Sequence, residues 1–119
     1  MFDHLTISVS DLSKAKEFYL KALAPFGIKC VFEGEGYCGF GTTRPMFWIA
    51  DGGGCISKAH IAFRAKNQDE VKAFYVAALG AGGKDNGAPG FRPEYHEKYY
   101  GAFVYDLDGN NIEAVFGND

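Results

Sequence analysis

The sequence predicts an α+β fold made of two tandem βαβββ modules in a single domain of 119 residues. Three observations carry that prediction. Sliding the chain on itself by 56 positions lays His4–Gly27 on His60–Gly83 without a gap. In that frame His4/His60, Lys16/Lys72, Phe18/Phe74, Tyr19/Tyr75, Ala22/Ala78, Leu23/Leu79 and Gly27/Gly83 are identical. A matched histidine, a matched Phe-Tyr pair and a matched Ala-Leu pair in one frame mark a duplicated supersecondary unit, spanning 1–56 and 57–119. Each copy also opens with an alternating apolar pattern and then switches to a helical one. The length suits one domain, and 47% apolar residues exclude a disordered chain.

The elements follow in order. Residues 2–9 alternate, with Leu5, Ile7 and Val9 on one side and His4, Thr6 and Ser8 on the other, which is the period of a half-buried strand. Ser10 or Asp11 caps a helix whose stripe is Leu12, Ala15, Phe18, Tyr19, Ala22 and Leu23; Pro25 and Gly27 stop it. Strands are expected over 28–33, 37–42 and 46–50, separated by turn residues. The second copy repeats the plan. A strand at 59–65 turns His60, Ala62 and Arg64 to one face and Ile61 and Phe63 to the other. Asn67 or Asp69 then caps a helix bearing Val71, Phe74, Tyr75, Ala78 and Leu79. A short strand at 81–84, a long loop at 85–98, and strands at 100–105 and 110–116 complete it, the last two joined by a turn with Gly109 where positive φ is needed. The apolar strand faces are expected under the helices, and the more polar faces are left to line something else.

Composition narrows the function. A net charge of −3 gives no basic field for nucleic acid, and no apolar run is long enough to span a bilayer. Residues 1–4 show no basic segment ahead of an apolar stretch, so no signal peptide is expected. Cys30, Cys38 and Cys55 are an odd, scattered set that reads as reduced thiols, and the expected location is the cytoplasm.

His4, His60 and Glu113 stand out. The two histidines hold the same position in the two modules, on the strand face away from the helix. Glu113 interrupts the apolar alternation of Ile112, Ala114 and Phe116 and points to the opposite side. A carboxylate in such a strand is costly unless paired or bound to metal. Taken singly, each is better read as a hydrogen-bonded structural residue, with Glu113 paired to Arg64 or a lysine. The duplication changes the balance, because equivalent residues near a pseudo-twofold axis can converge on one point, within one chain or across two. Two imidazoles and a carboxylate suit a divalent transition metal with open positions.

The chain resembles the vicinal oxygen chelate superfamily, which includes lactoylglutathione lyase, extradiol dioxygenases, fosfomycin-resistance enzymes and bleomycin-resistance proteins. The carriers are residues 3–11 (DHLTISVSD) followed by Ala15, Phe18 and Tyr19, the segment 59–63 (AHIAF), and 103–115 (FVYDLDGNNIEAV), whose D-x-D-G-N-x-I-E pattern is the most specific. The resemblance spans essentially the whole chain. It implies a cupped mixed β-sheet with helices on the outer face, and a divalent ion (Zn, Ni, Mn, Co or Fe(II)) on His4, His60 and Glu113. It further implies a homodimer, since single-domain members usually pair and some complete each site from two chains. One departure is that Trp48 stands where glyoxalases place a fourth, acidic ligand, and an indole cannot ligate.

If His4 faces the cup, strand alternation places Thr6, Ser8, Trp48, Ala62, Arg64 and Val115 on its walls. Trp48 and Arg64 are therefore expected to contact substrate, together with Arg92 and Tyr99 from the long loop. His96 and Tyr100, with Glu113, are the candidates for acid–base work, and Arg92 or His96 for an anionic substituent. Equally, these aromatics could simply pack the loop down. The expected function is that of a metal-dependent enzyme chelating a small substrate through neighbouring oxygens, with lyase, isomerase or dioxygenase chemistry. The alternatives are a metal-free small-molecule or antibiotic-binding protein of the bleomycin-resistance type, and an interaction domain with structural histidines.

Overall fold

The computed structural model describes all of residues 1–119. The first module contains β1 (Leu5–Val9), α1 (Leu12–Ala22), a 3-10 turn (Ala24–Phe26), β2 (Lys29–Gly34), β3 (Tyr37–Gly41) and β4 (Phe47–Asp51). The second contains β5 (His60–Arg64), α2 (Gln68–Gly80), β6 (Lys84–Phe91), β7 (Tyr100–Tyr105) and β8 (Asn111–Phe116). Each forms a four-stranded mixed sheet, in the orders β1-β4-β3-β2 and β5-β8-β7-β6. The first strand of each module pairs parallel with the last, and the other pairings are antiparallel. The duplication read from the sequence is thus a duplication of topology.

Both helices begin as the sequence dictates. The Asp11 carboxylate accepts from the Lys14 amide at 3.0 Å, and the Asn67 side chain accepts from the Glu70 amide at 2.8 Å. Each satisfies one of the first-turn donors that a helix leaves unpaired. The apolar strand faces lie under the helices: Ile7, Val9, Phe40, Phe47 and Ile49 from the first sheet, Phe63, Ala102, Val104, Ile112 and Ala114 from the second.

These residues join one core rather than two. Phe26 of the first module stacks on Phe63 and Phe74 of the second, with ring centroids at 6.0 and 5.7 Å. Tyr19 of α1 donates its hydroxyl hydrogen bond to the buried Asp106, in the turn between β7 and β8. Asp106 also accepts from the Asp108 and Asn110 amides and from the Asn110 side chain, which closes the turn predicted around Gly109 (φ 88°). No helix is long and apolar enough to cross a membrane.

One element departs from expectation. The segment read as a short strand and a long loop is an eight-residue strand, β6, paired with β7 through two irregularities at Asp85–Gly87 and Gly87–Gly90. It is the edge strand of its sheet. Pro89 removes no ladder bond that a neighbour on that side would need, so proline and glycine are tolerated there.

Candidate functional site

The open face of the second sheet carries a connected polar group. Strand alternation buries Ile112 and Ala114 under α2 and turns Glu113 to the other side. There Glu113 is only 2% exposed yet lies outside the apolar core. Its Oε1 is hydrogen-bonded to His60 Nε2 at 2.7 Å, reached from β5, the strand on the opposite side of β8 from β7. Its Oε2 accepts from the Tyr99 hydroxyl. Burial, and then the bond to Glu113, hold the Tyr99 phenol above its ordinary pKa, so it stays a proton donor. Phe103, the register partner of Glu113, lies beside His60 with ring centroids 6.1 Å apart.

Gly101 lies directly beneath this arrangement. A Cβ there would stand 3.1 Å from the Tyr99 ring and 3.4 Å from Glu113 Oε2. The sequence reading missed both Gly101 and Phe103. Their signal is the parity of β7: Tyr100, Ala102 and Val104 form the apolar side, which assigns Tyr99, Gly101 and Phe103 to the open one.

The open face of the first sheet has a different character. His4, with 54% of its side chain exposed, is bonded through Nδ1 to Asp3 Oδ1 at 2.7 Å, which leaves Nε2 outward. Arg44 also reaches Asp3. Beside them an open depression of about 550 Å³ is lined by Thr6, Tyr37, Pro45 and Trp48. Phe32 and Tyr37 stack at 6.0 Å, and each lies within 6 Å of the Trp48 ring. By position in the duplicated topology, Trp48 occupies the place that Glu113 holds in the second module.

Of the predicted site residues, the structure brings His60, Glu113 and Tyr99 together, and Arg92 lies over Phe103 on the same face. Five others, His4 among them, sit elsewhere. Tyr100 packs into the core against Phe91, and its parity along β7 is the reason. His96 lies in a separate hollow with Gln68, Lys98 and Asp119. Arg64 pairs with Asp119 at 3.0 Å and lines a groove of about 730 Å³ along the seam between β1 and β5, which His4 also borders. Trp48 belongs to the first sheet with His4. No third His, Cys, Asp or Glu of the same chain joins His60 and Glu113. An imidazole nitrogen and a carboxylate oxygen 2.7 Å apart are fitted to share one divalent ion as adjacent ligands, each about 2.0–2.2 Å from it. His4 does not join that pair within the chain.

A family model described as the Glyoxalase/Bleomycin resistance protein/Dioxygenase superfamily matches residues 1–114. The chain belongs to that superfamily. Among solved structures it is similar to a glyoxalase/bleomycin resistance protein from Albidiferax ferrireducens T118, with a TM-score of 0.83, 28% identity and 98% of each chain covered. It shares its fold with a lactoylglutathione lyase from Agrobacterium tumefaciens, with a TM-score of 0.72, 19% identity, and coverage of 98% of this chain and 93% of that one. A glyoxalase-related enzyme from Fulvimarina pelagi gives a TM-score of 0.75 at 18% identity, covering 98% of this chain and 88% of that one. The comparison with curated proteins returned no match.

Proposed function

We propose that the chain is a cytoplasmic, metal-dependent enzyme acting on a small molecule with neighbouring oxygens, and that its site forms between two copies. His60 and Glu113 of one copy and His4 of a second hold the divalent ion. The observation that carries the reading is the buried Glu113 carboxylate beside the half-exposed His60 imidazole, on the sheet face away from the helices. A burial this costly is expected where a carboxylate serves a site. The third donor must come from outside, because His4 lies on the other sheet with its Nε2 outward. Phe2, 90% exposed, and Met46 flank His4 along the seam groove, and a second copy would cover that apolar surface.

A bound divalent ion supplies Lewis acidity to vicinal substrate oxygens, the common ground of lyase, isomerase and dioxygenase chemistry. The chain's residues do the rest. Tyr99 keeps a proton on its hydroxyl and fixes Glu113 Oε2, leaving Oε1, the atom that faces His60, to hold the ion together with that imidazole. Phe103 walls one side and excludes water. Trp48 and Tyr37 of the second copy present an aromatic wall opposite.

The test is calorimetric titration with Ni²⁺. Wild type is expected to bind about one equivalent per chain, and Glu113→Ala and His60→Ala to lose at least tenfold in affinity. Wild-type protein that takes up no Ni²⁺, Zn²⁺ or Fe²⁺ overturns the proposal.

One observation favours a second reading, a metal-free ligand-binding protein. Both Glu113 oxygens already have partners, and the aromatic depression at Trp48 is ready to seat a ring. On that reading, ligand affinity is unmoved by a chelator.

A further inference from the structure

Arg92 has no part in holding the metal, yet its placement is specific. Of the three arginines, Arg44 pairs with Asp3 and Arg64 with Asp119, while Arg92 makes no ion pair. Its side chain folds back over the Phe103 ring, with Cζ 5.4 Å from the centroid; Nη2 donates to the Ala88 carbonyl at 2.7 Å and Nη1 to the Phe91 carbonyl at 3.5 Å. The irregular backbone of β6 makes the berth. A Cβ at Gly87 would stand 3.2 Å from Nη2, and one at Gly90 3.1 Å from Nη1. A half-buried guanidinium is therefore seated on an aromatic face and against backbone, with most of its five N–H donors unspent and no carboxylate to neutralise it.

The seat adjoins the candidate site. Phe103 is the register partner of Glu113 and neighbours His60. Glu113 makes no ion pair with Arg92, and its two oxygens are hydrogen-bonded to His60 and Tyr99 instead. A pre-positioned guanidinium with free donors is matched to a planar or tetrahedral oxyanion, which it grips with paired hydrogen bonds.

We infer that Arg92 reads an anionic substituent, so that the ligand is a small acid (carboxylate or phosphate) whose neighbouring oxygens lie beside that group. The inference rests on the reading of the His60–Glu113 face as the ligand site. The competing role for Arg92 is a structural roof over Phe103.

The test titrates Ni²⁺-loaded protein with glycerate, glycerol 3-phosphate and glycerol, all of which carry vicinal hydroxyls. Wild type is expected to bind at least one of the two acids tenfold more tightly than glycerol, and the tighter acid tells carboxylate from phosphate. Arg92→Gln and Arg92→Met are expected to lose at least fivefold toward that acid, with Ni²⁺ affinity unchanged within twofold. Arg92→Met keeps a long apolar side chain over Phe103, so it separates charge from packing should the glutamine variant fold poorly. Wild-type affinity for the acids in Arg92→Met, or no preference for either acid in wild type, overturns the inference. Protein that takes up no Ni²⁺ counts against the metal reading instead, and the same titrations on metal-free protein then decide Arg92 alone.

Discussion

Two adjacent tyrosines at the start of β7 have opposite fates, and the difference has a measurable consequence. Tyr99 donates to Glu113, while Tyr100 packs among Ala102, Val104 and Phe91. Tyr99 is held above its ordinary pKa by burial and by Glu113, and Tyr19 by deeper burial and by Asp106. A raised native pKa means that the folded state keeps its proton after the unfolded chain has released its own. The stabilisation is fully present below about pH 10 and falls as pH rises through and beyond it. Spectrophotometric titration should show both phenols ionising after the exposed ones, and the urea midpoint should drop above about pH 10. Tyr99→Phe should soften that drop while leaving the neutral-pH fold intact; an unchanged drop would place its cause elsewhere. The assignment of Tyr100 to acid–base work was open to correction in the sequence itself, because Tyr100-x-Ala102-x-Val104 is the more apolar parity of the strand. His60 and Glu113 were readable for the same reason, each breaking an alternation that its neighbours keep. Arg92 was readable only as a cation in a loop, since its berth depends on the backbone path of β6.

The strands around that site tolerate little. On β7, Gly101 lets the Tyr99 ring and the Glu113 carboxylate approach each other across the sheet. A methyl group at 3.1 Å from the Tyr99 ring forces that ring to move, because the strand beneath it is fixed by pairing to β6 and β8. Gly101→Ala is therefore expected to part Tyr99 from Glu113 and to cost about 1–3 kcal/mol of stability. The phenol of Tyr99 should then titrate nearer the exposed tyrosines, whereas a purely steric loss elsewhere in the sheet would lower stability without moving that titration. Secondary structure was legible wherever periodicity and caps agreed, as in β1, β5 and both capped helices. It was not legible in β6. Gly87, Pro89 and Gly90 are loop residues by propensity, and only an edge position next to β7 allows them to pair. Local signals do not report which strand ends up at an edge.

The repeat revealed the modules and left their mutual placement undetermined, and on that placement the site depends. Equivalent histidines about a pseudo-twofold axis were expected to converge. Instead a shared core locks the modules together through Phe26 on Phe63 and Phe74, Tyr19 on Asp106, and Ser10 on Asp108. With the modules locked, His4 cannot swing to His60 and Glu113 without breaking that core. Truncating one such buried aromatic to alanine costs about 3–5 kcal/mol, which sets the scale of what opening that core would take. A twofold dimer resolves the geometry, since an isologous interface presents His4 of each copy to the His60–Glu113 face of the other, twice. Complementation tests this directly. His4→Ala retains an intact His60–Glu113 face, and Glu113→Ala retains an intact His4. Neither variant alone builds a complete site. When the two are unfolded together at equal concentration and refolded, half the dimers should be mixed, each with one complete site, restoring about a quarter of wild-type tight Ni²⁺ binding. If His4 instead reached its own chain's pair, or took no part, the mixture would bind only the average of the two variants.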